Sequence, residues 1–376
     1  GAVMPAGTVL TQTVAVTPAP GLGPSFFSAG FSNYDINAGL GLVVASGASI
    51  APTMPVYQFT TSSYAARSGS DPASAMSLWL PPLFTENPMG ATLTQRAGAS
   101  VTLRSVTRDS GGGLVGGGSI VVADGGSISV DPGQSIKLDA VGQITIDGSL
   151  TAHGGSIGLI NETDNSADAL RNFDAAGNGR GLSVWIGANG KLDASGNVYT
   201  DSDIMGRTYG TVTGGGSISL SGVAAFVIIR PGAELDADGA SITVNSAAGM
   251  SPTAPGNALR VASNGGSIAL GSMSGLYLDG DMHAAAGGAA AAGGDLSISL
   301  LTPFFNTQTF PHGVPANVQV ASVMTVVQER QPSPLPADIA PGTDAANLEF
   351  GQTTVSAEMI KAGGFGKLSL SSGDYM

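Results

Sequence analysis

The chain has 376 residues, no cysteine, 57 glycines and 21 prolines, and only 11% of its residues are charged. The absence of cysteine excludes disulfides and thiolate metal centres, and a net charge of −13 without any basic cluster argues against nucleic acid as a partner. Apolar residues make up 42% of the chain and alternate with small polar ones in short runs, which excludes the disordered state that so much glycine and proline suggests.

The expected fold class is therefore all-β, a stack of short strands and turns in which backbone groups pair from one coil to the next. No membrane helix is expected. The best apolar run, Gly222-Val-Ala-Ala-Phe-Val-Ile-Ile229, ends at Arg230-Pro231, far short of the about 18 residues required. Gly1-Ala-Val-Met lacks the basic start and apolar core of a signal peptide, so an internal piece or a processed product is expected.

In chain order, residues 1–24 are rich in Pro, Ala and Thr and are expected to be irregular. Residues 25–376 are expected to form coils with excursions near 57–98, 161–213, 283–294 and 302–347. The first excursion carries Arg67, Trp79 and Pro81-Pro82, and reads as a side loop or a short helix near Pro72–Leu80. From there the string Gly-Gly-Ser-Ile recurs at 117–120, 125–128, 154–157, 215–218 and 265–268, with a weaker copy at Gly239-Ala-Ser-Ile242. Alternating tails such as Ser217-Ile-Ser-Leu220 follow, which is strand patterning.

A second string alternates with the first, as in Arg230-Pro-Gly-Ala-Glu-Leu-Asp-Ala237 and Gly187-Ala-Asn-Gly-Lys-Leu-Asp-Ala194, and supplies turn signals. Ser217, Ser241, Ser267 and Ser297 mark coils of 24, 26 and 30 residues, and the gap of 61 from Ser156 to Ser217 predicts an extra coil plus excursions. Residues 283–294 are a Gly/Ala-rich loop, and 302–318 and 328–347 are Pro-rich and extended.

The alternation of these two strings resembles the filamentous haemagglutinin family, large exoproteins exported by two-partner secretion. Ser25-Phe-Phe-Ser-Ala-Gly-Phe-Ser-Asn-Tyr-Asp-Ile-Asn37, continuing through Gly41–Ile50 to Met54-Pro-Val-Tyr57, is similar to a segment deep inside one branch of that family. The resemblance covers residues 25–376. It implies a right-handed parallel β-helix, passage through an outer-membrane two-partner secretion transporter, and a secreted or cell-surface location in a Gram-negative bacterium. It implies the role of an adhesin, a biofilm component or a stalk with a toxic tip. The family's secretion domain, with its Asn-Pro-Asn-Gly string, is not found here, so the parent protein is expected to extend past both ends.

The chemistry expected is sparse. Asp201/Asp203, Asp236/Asp238 and Asp279/Asp281 sit at turns, where Asp bonds its own backbone. His153, His283 and His312 lack ligand spacing, so no metal, cofactor or catalytic residue is expected. The candidate partner-binding residues are aromatics on loops, Trp79, Tyr199, Tyr209, Phe304 and Phe305, whereas Trp185 in Leu182-Ser-Val-Trp-Ile186 falls on a strand. A structural or adhesive segment that meets a receptor or glycan on a host or neighbouring cell is the leading expectation. The alternatives are a filament or sheath subunit associating end to end, and a carbohydrate-active β-helix enzyme. The enzyme requires an acidic cluster with a basic residue in one groove.

Overall fold

The computed structural model describes residues 22–71, 75–162, 181–223, 225–246, 256–301, 322–342, 348–349 and 351–373. The expectations for residues 1–21, 163–180, 302–321 and 343–347 lie outside the described residues, and with them Phe304, Phe305 and His312.

Among the described residues the chain is almost all β, and its long sheets are parallel. Sheet I runs through Asn33–Asn37, Ser100–Ser105, Ser135–Ala140, Ser156–Asn161, Ser217–Gly222, Ser267–Ser272, Asp295–Leu300 and Lys367–Ser372. Sheet II runs through Gly41–Val44, Ser119–Val122, Ile144–Ile146, Ser183–Ile186, Phe226–Ile229, Leu276–Leu278, Gln352–Ser356 and Val323–Val327. Sheet III runs through Ser49–Ile50, Ser127–Ser129, Ser149–Thr151, Lys191–Asp193, Glu234–Asp236 and Asp281–His283. Each of the first six circuits lays one strand in sheet I, then II, then III, and the next lays two strands in sheet II and none in sheet III. No helix is long and apolar enough to cross a membrane.

Alternation drives the stacking. Every second residue of a strand points inward, and like apolar residues meet in register from circuit to circuit. Val101, Ile136, Ile157, Ile218, Ile268 and Leu296 form one such column in sheet I. Ile128, Leu150, Leu192, Leu235 and Met282 form another in sheet III. Residues from all three sheets join in one buried apolar core. Burying a side chain of this size is worth about 1.5–3 kcal/mol, and each column repeats that gain once per circuit.

The repeated Gly-Gly string is a corner requirement. A Cβ on Gly216 would run into the carbonyl of Gly155, one on Gly266 into that of Gly216, and one on Gly294 into that of Gly266. Adjacent circuits approach too closely there for any side chain. The same constraint operates at all three corners, so the string does not mark one sheet. Residues 117–120 enter sheet II, 125–128 enter sheet III, and 154–157, 215–218 and 265–268 enter sheet I.

Three expectations need correction. Ser217 pairs directly with Ser267, so Ser241 begins no coil. Ser241–Ser246 is instead one arm of an antiparallel hairpin with Asn257–Ala262. Ser156 pairs directly with Ser217, so the 61-residue gap holds excursions and no extra coil. Met76–Trp79 is a strand paired with Val56–Phe59, so the short helix that was one alternative near Pro72–Leu80 does not extend over 76–79, while residues 72–74 lie outside the described residues. In each case short antiparallel arms show the same local alternation as coil strands, and only the partner differs.

Insertions are confined to particular corners. The turn from sheet II to sheet III stays short in every circuit, as at 187–190 and 230–233. The turn from III to I carries the hairpin pairs of residues 56–95, the hairpin of Val198–Ser202 with Thr208–Val212, and the 241–262 hairpin. The turn from I to II carries the small hairpin of Thr107–Arg108 with Leu114–Gly116. At the far end Val323–Val327 adds to the outer edge of Gln352–Ser356, although it comes earlier in the chain. The helix Ala357–Ala362, capped at its start by the Ser356 hydroxyl, packs against Asp281–His283 where the next strand of sheet III belongs.

The corner constraint separates two glycines of a single strand region. Gly266→Ala is expected to lower thermal stability by about 1–3 kcal/mol through overpacking. Gly271→Ala, with nothing within 4 Å of its Cβ position, is expected to be neutral or stabilising. Chemical or thermal unfolding of the two variants makes the comparison, and equal losses would contradict the account.

Candidate functional site

The hairpins at the III-to-I corner stand side by side. Phe84, at the start of the Phe84–Asn87 arm, stacks on Tyr199 with ring centroids 4.6 Å apart at 30°. The Tyr199 hydroxyl donates to Glu86, and the Thr208 amide donates to Asn245 Oδ1 at 2.7 Å. Arg96 forks onto Asp131 with contacts of 2.8 and 2.7 Å, both side chains mostly buried, and fastens the first excursion to the coil beside it.

This arrangement sorts the candidate aromatics. Trp79 is 42% exposed, on the same excursion as exposed Tyr57, Phe59, Tyr64 and Leu78. Tyr199 is half-buried between hairpins. Tyr209 is buried and its hydroxyl donates to Asp201 at 2.8 Å, so it offers no free face to a partner. Partial burial and the Asp201 carboxylate push the Tyr209 hydroxyl up to about 12.

Two polar clusters arise from stacking, which brings distant residues together. In sheet III, His153 Nδ1 lies 3.2 Å from Ser195 Oγ and 3.4 Å from Asp193 Oδ1. Ser195 has the residue types of a hydrolytic triad beside it, but its hydroxyl donates to Asp193 at 2.6 Å instead of to a basic nitrogen. A nucleophile needs the opposite wiring. Burial raises the Asp193 carboxyl, but bonds from His153 and from the Ser195 hydroxyl and amide outweigh it and hold the group down to about 2. The same contact with Asp193 raises His153.

In sheet I, Asp139 is 3% exposed and lies against Glu162. Lys137 Nζ is 3.6 Å away and Arg104 Nε 3.9 Å, and Arg104 also meets Asp35 at 3.1 Å. Acidic and basic groups thus converge, as a carbohydrate-active site demands. However, the two carboxyls touch each other, whereas glycoside hydrolysis needs about 5 Å or more between them. Burial, then the bond to Glu162 and its charge, push Asp139 up to about 6. The pair can store a proton, but Asp139 is closed to substrate.

The third arrangement is a cleft. Residues 328–342 and 348–349 lie over the outer face of sheet II as a strap, covering an apolar column that would otherwise face water. Leu335 packs with Trp185, Phe226, Ile228 and Tyr277. The Arg230 guanidinium lies 5.4 Å over the Trp185 ring and donates to the Pro336 carbonyl at 2.8 Å. Arg330 binds Asp281 at 2.8 Å and the carbonyls of Asp279 and Gly280. Ser333 donates to Asp279 at 2.6 Å, and the Glu349 amide donates to the Tyr277 hydroxyl at 2.7 Å.

Beneath this strap sheet II splits. Leu276–Leu278 and Gln352–Ser356 share a single ladder pair, Leu276 with Thr353. A cavity of about 360 Å³ opens between the strands and the strap, walled by Tyr277, Asp279, Arg330, Glu349, Gln352 and Thr354 among others. Sequence reasoning singled out none of these except Asp279. Asp203 and Asp236 bond the local backbone as turn residues do, Asp203 accepting from the Met205 and Arg207 amides and Asp236 from the Asp238 amide, whereas Asp201 accepts from the Tyr209 hydroxyl and Asp238 from the Ala285 amide. Asp279/Asp281 instead anchors the strap. Among the described residues no group of three or more His, Cys, Asp or Glu is placed to hold a metal ion.

No family model, no curated protein and no solved structure matches the chain.

Four of the six shifted carboxyls share a sign. Burial raises the Asp147, Asp236 and Asp279 carboxyls, as it does Asp139. A carboxyl raised on folding binds protons more tightly in the folded state, so its contribution to stability falls as pH rises above the ordinary carboxyl range, for Asp139 through about 6. Raised His153 adds stability that is lost as pH climbs above 6.5. Lowered Asp193 acts only below about 4. Thermal melts are therefore expected to show higher stability at pH 5 than at pH 7.5, with Asp139→Asn flattening the slope. A wild-type melt that is higher at pH 7.5 would contradict this.

Proposed function

We propose that the chain is a non-catalytic segment of a right-handed parallel β-helix in a large exported surface protein of the filamentous haemagglutinin type, with a structural and adhesive role. Its place would be secreted or on the cell surface of a Gram-negative bacterium, reached through a two-partner secretion transporter. Right-handedness is the near-universal hand of parallel β crossovers. A cysteine-free chain suits unfolded export, because no premature disulfide can stall it.

The observation that carries the adhesive role is the ledge of hairpins on an otherwise regular shaft. Tyr57, Phe59, Tyr64, Leu78 and Trp79 are exposed on one excursion. Tyr57 and Leu78 face each other across the hairpin, as do Val56 and Trp79. Apolar side chains gathered on a projecting element are a common mark of a contact surface, and aromatics are common binding anchors. The shaft supplies rigidity, and the hairpins supply contact area.

Beads coated with the purified chain are expected to adhere to epithelial or bacterial cells. A variant carrying Tyr57→Ser, Phe59→Ser and Trp79→Ser is expected to lose about tenfold or more in binding, with an unchanged circular dichroism spectrum. No adhesion to any cell surface, or adhesion indifferent to the three substitutions, would reject this function.

A further inference from the structure

We propose that Val56–Phe59 is a self-pairing edge, to which a second copy of this chain adds its own Val56–Phe59, antiparallel, about a two-fold axis. The inference rests on the adhesive reading above and names the partner of the same excursion.

The hairpin of Val56–Phe59 with Met76–Trp79 is a two-stranded sheet with both outer edges open. Such a ribbon is marginally stable by itself in water, and further strands make it secure. All of Val56–Phe59 is exposed. The Thr60 amide donates to the Ala75 carbonyl at 3.2 Å, which sets the alternation of the ladder. Val56 and Gln58 therefore turn their amides and carbonyls towards Trp79 and Ser77, and Tyr57 and Phe59 turn theirs to the free edge. No backbone hydrogen bond reaches those edge groups among the described residues.

Open edges are ordinarily blunted by charge, proline or a bulge. The other excursion hairpins follow that rule, with Glu86, Arg108, Asp201 and Arg260 on their strands. Neither Val56-Tyr-Gln-Phe59 nor Met76-Ser-Leu-Trp79 holds a charge or a proline, and the register between them is unbroken. The contrast selects the partner. With a net charge of −13, identical copies repel one another in general. This uncharged edge is where they can meet.

The edge is also complementary to itself. Antiparallel pairing centred on Gln58 sets Tyr57 opposite the partner's Phe59, and Phe59 opposite the partner's Tyr57. Each pair then exchanges both hydrogen bonds of its open amides and carbonyls. On one face the aromatic rings meet as cross-strand pairs. On the other, Gln58 faces the partner's Gln58, and each side-chain amide can donate and accept. The neighbouring registers that keep like faces together set Phe59 against Pro55 or Tyr57 against Thr61, both beyond the strand. In the centred register the two hairpins merge into one sheet, past the width at which sheets become stable by themselves.

Sedimentation of the whole chain is expected to show a monomer–dimer equilibrium at about 100 µM or tighter. Tyr57→Lys with Phe59→Lys is expected to weaken it about tenfold or more. Should that variant fold poorly by circular dichroism, Gln58→Lys sets like charges opposite each other across the axis and serves in its place. A chain that stays monomeric at about 1 mM, or a dimer indifferent to these variants, would overturn the proposal. Single cysteines in this cysteine-free chain locate the axis. Gln58→Cys would lie about 4.5 Å from its copy and is expected to link the dimer on mild oxidation. Ser77→Cys, on the same face but one strand further out, would lie about 14 Å from its copy and is expected not to. A link through Ser77→Cys, or none through Gln58→Cys, would also overturn it.

Bead assays separate the self-pairing from the adhesive role. Beads coated with the chain are expected to clump without any cell present, and those coated with Gln58→Lys are expected to stay apart. Adhesion to cells without clumping rejects the self-pairing and leaves the role standing. Clumping without adhesion to any cell supports the self-pairing and rejects the role.

Discussion

Adjacent parallel strands lie about 4.8 Å apart, and in this chain that spacing governs the corners as tightly as the sheets. A strand tolerates it because side chains leave the sheet plane. A corner does not, because a Cβ there points at the carbonyl of the circuit before. Gly155, Gly216, Gly266 and Gly294 resolve the conflict one above the other. Once the corners close, register follows. Isoleucine then meets isoleucine, serine meets serine, and the core fills with the same few residue types at each level.

Uniform stacking has a cost on the outside. Where an outward position of sheet II repeats an apolar residue, as at Trp185, Ile228 and Tyr277, the result is an apolar column facing water. The strap removes it from solvent. Its anchors are polar at the margins, Arg330 on Asp281 and Ser333 on Asp279, and apolar at the centre, Leu335 among the rings. The cleft exists because the strand that enters beneath the strap keeps only one ladder pair with its neighbour. Stacking also assembles the Asp139–Glu162 and His153–Asp193 pairs, whose titration links stability to pH.

Much of the coil was legible in the sequence. The Gly-Gly-Ser-Ile string and its alternating tail mark strand entries correctly at 154–157, 215–218 and 265–268. The string is silent about which sheet is entered, because all three corners impose one steric demand. Ser241-Ile-Thr-Val244 illustrates a second limit. Its alternation matches a coil strand, yet it pairs with its own hairpin partner. The site was the least legible part. Arg230 meets the Pro336 carbonyl across 106 positions, and Arg330 meets Asp281 across 49. Neither contact leaves a local pattern, since each depends on how many circuits lie between. Trp185 was placed on a strand from alternation alone, but nothing nearby in sequence announces the Leu335 that covers it.

The direct stacking of Ser217–Gly222 on Ser267–Ser272 is the claim on which register, core and corner all rest. The absence of cysteine allows a clean test. Ser219 and Ala269 are register partners, both exposed. Cysteines placed there sit at a spacing of about 4.8 Å, within the range that a disulfide spans. Thr243 is exposed too, but it pairs with Arg260 in the hairpin. The measurement is mild oxidation of Ser219→Cys/Ala269→Cys and of Ser219→Cys/Thr243→Cys, followed by peptide mass spectrometry. The account predicts a crosslink in the first pair and none in the second. A crosslink in the second pair alone would place Ser241–Ser246 in the coil and contradict it.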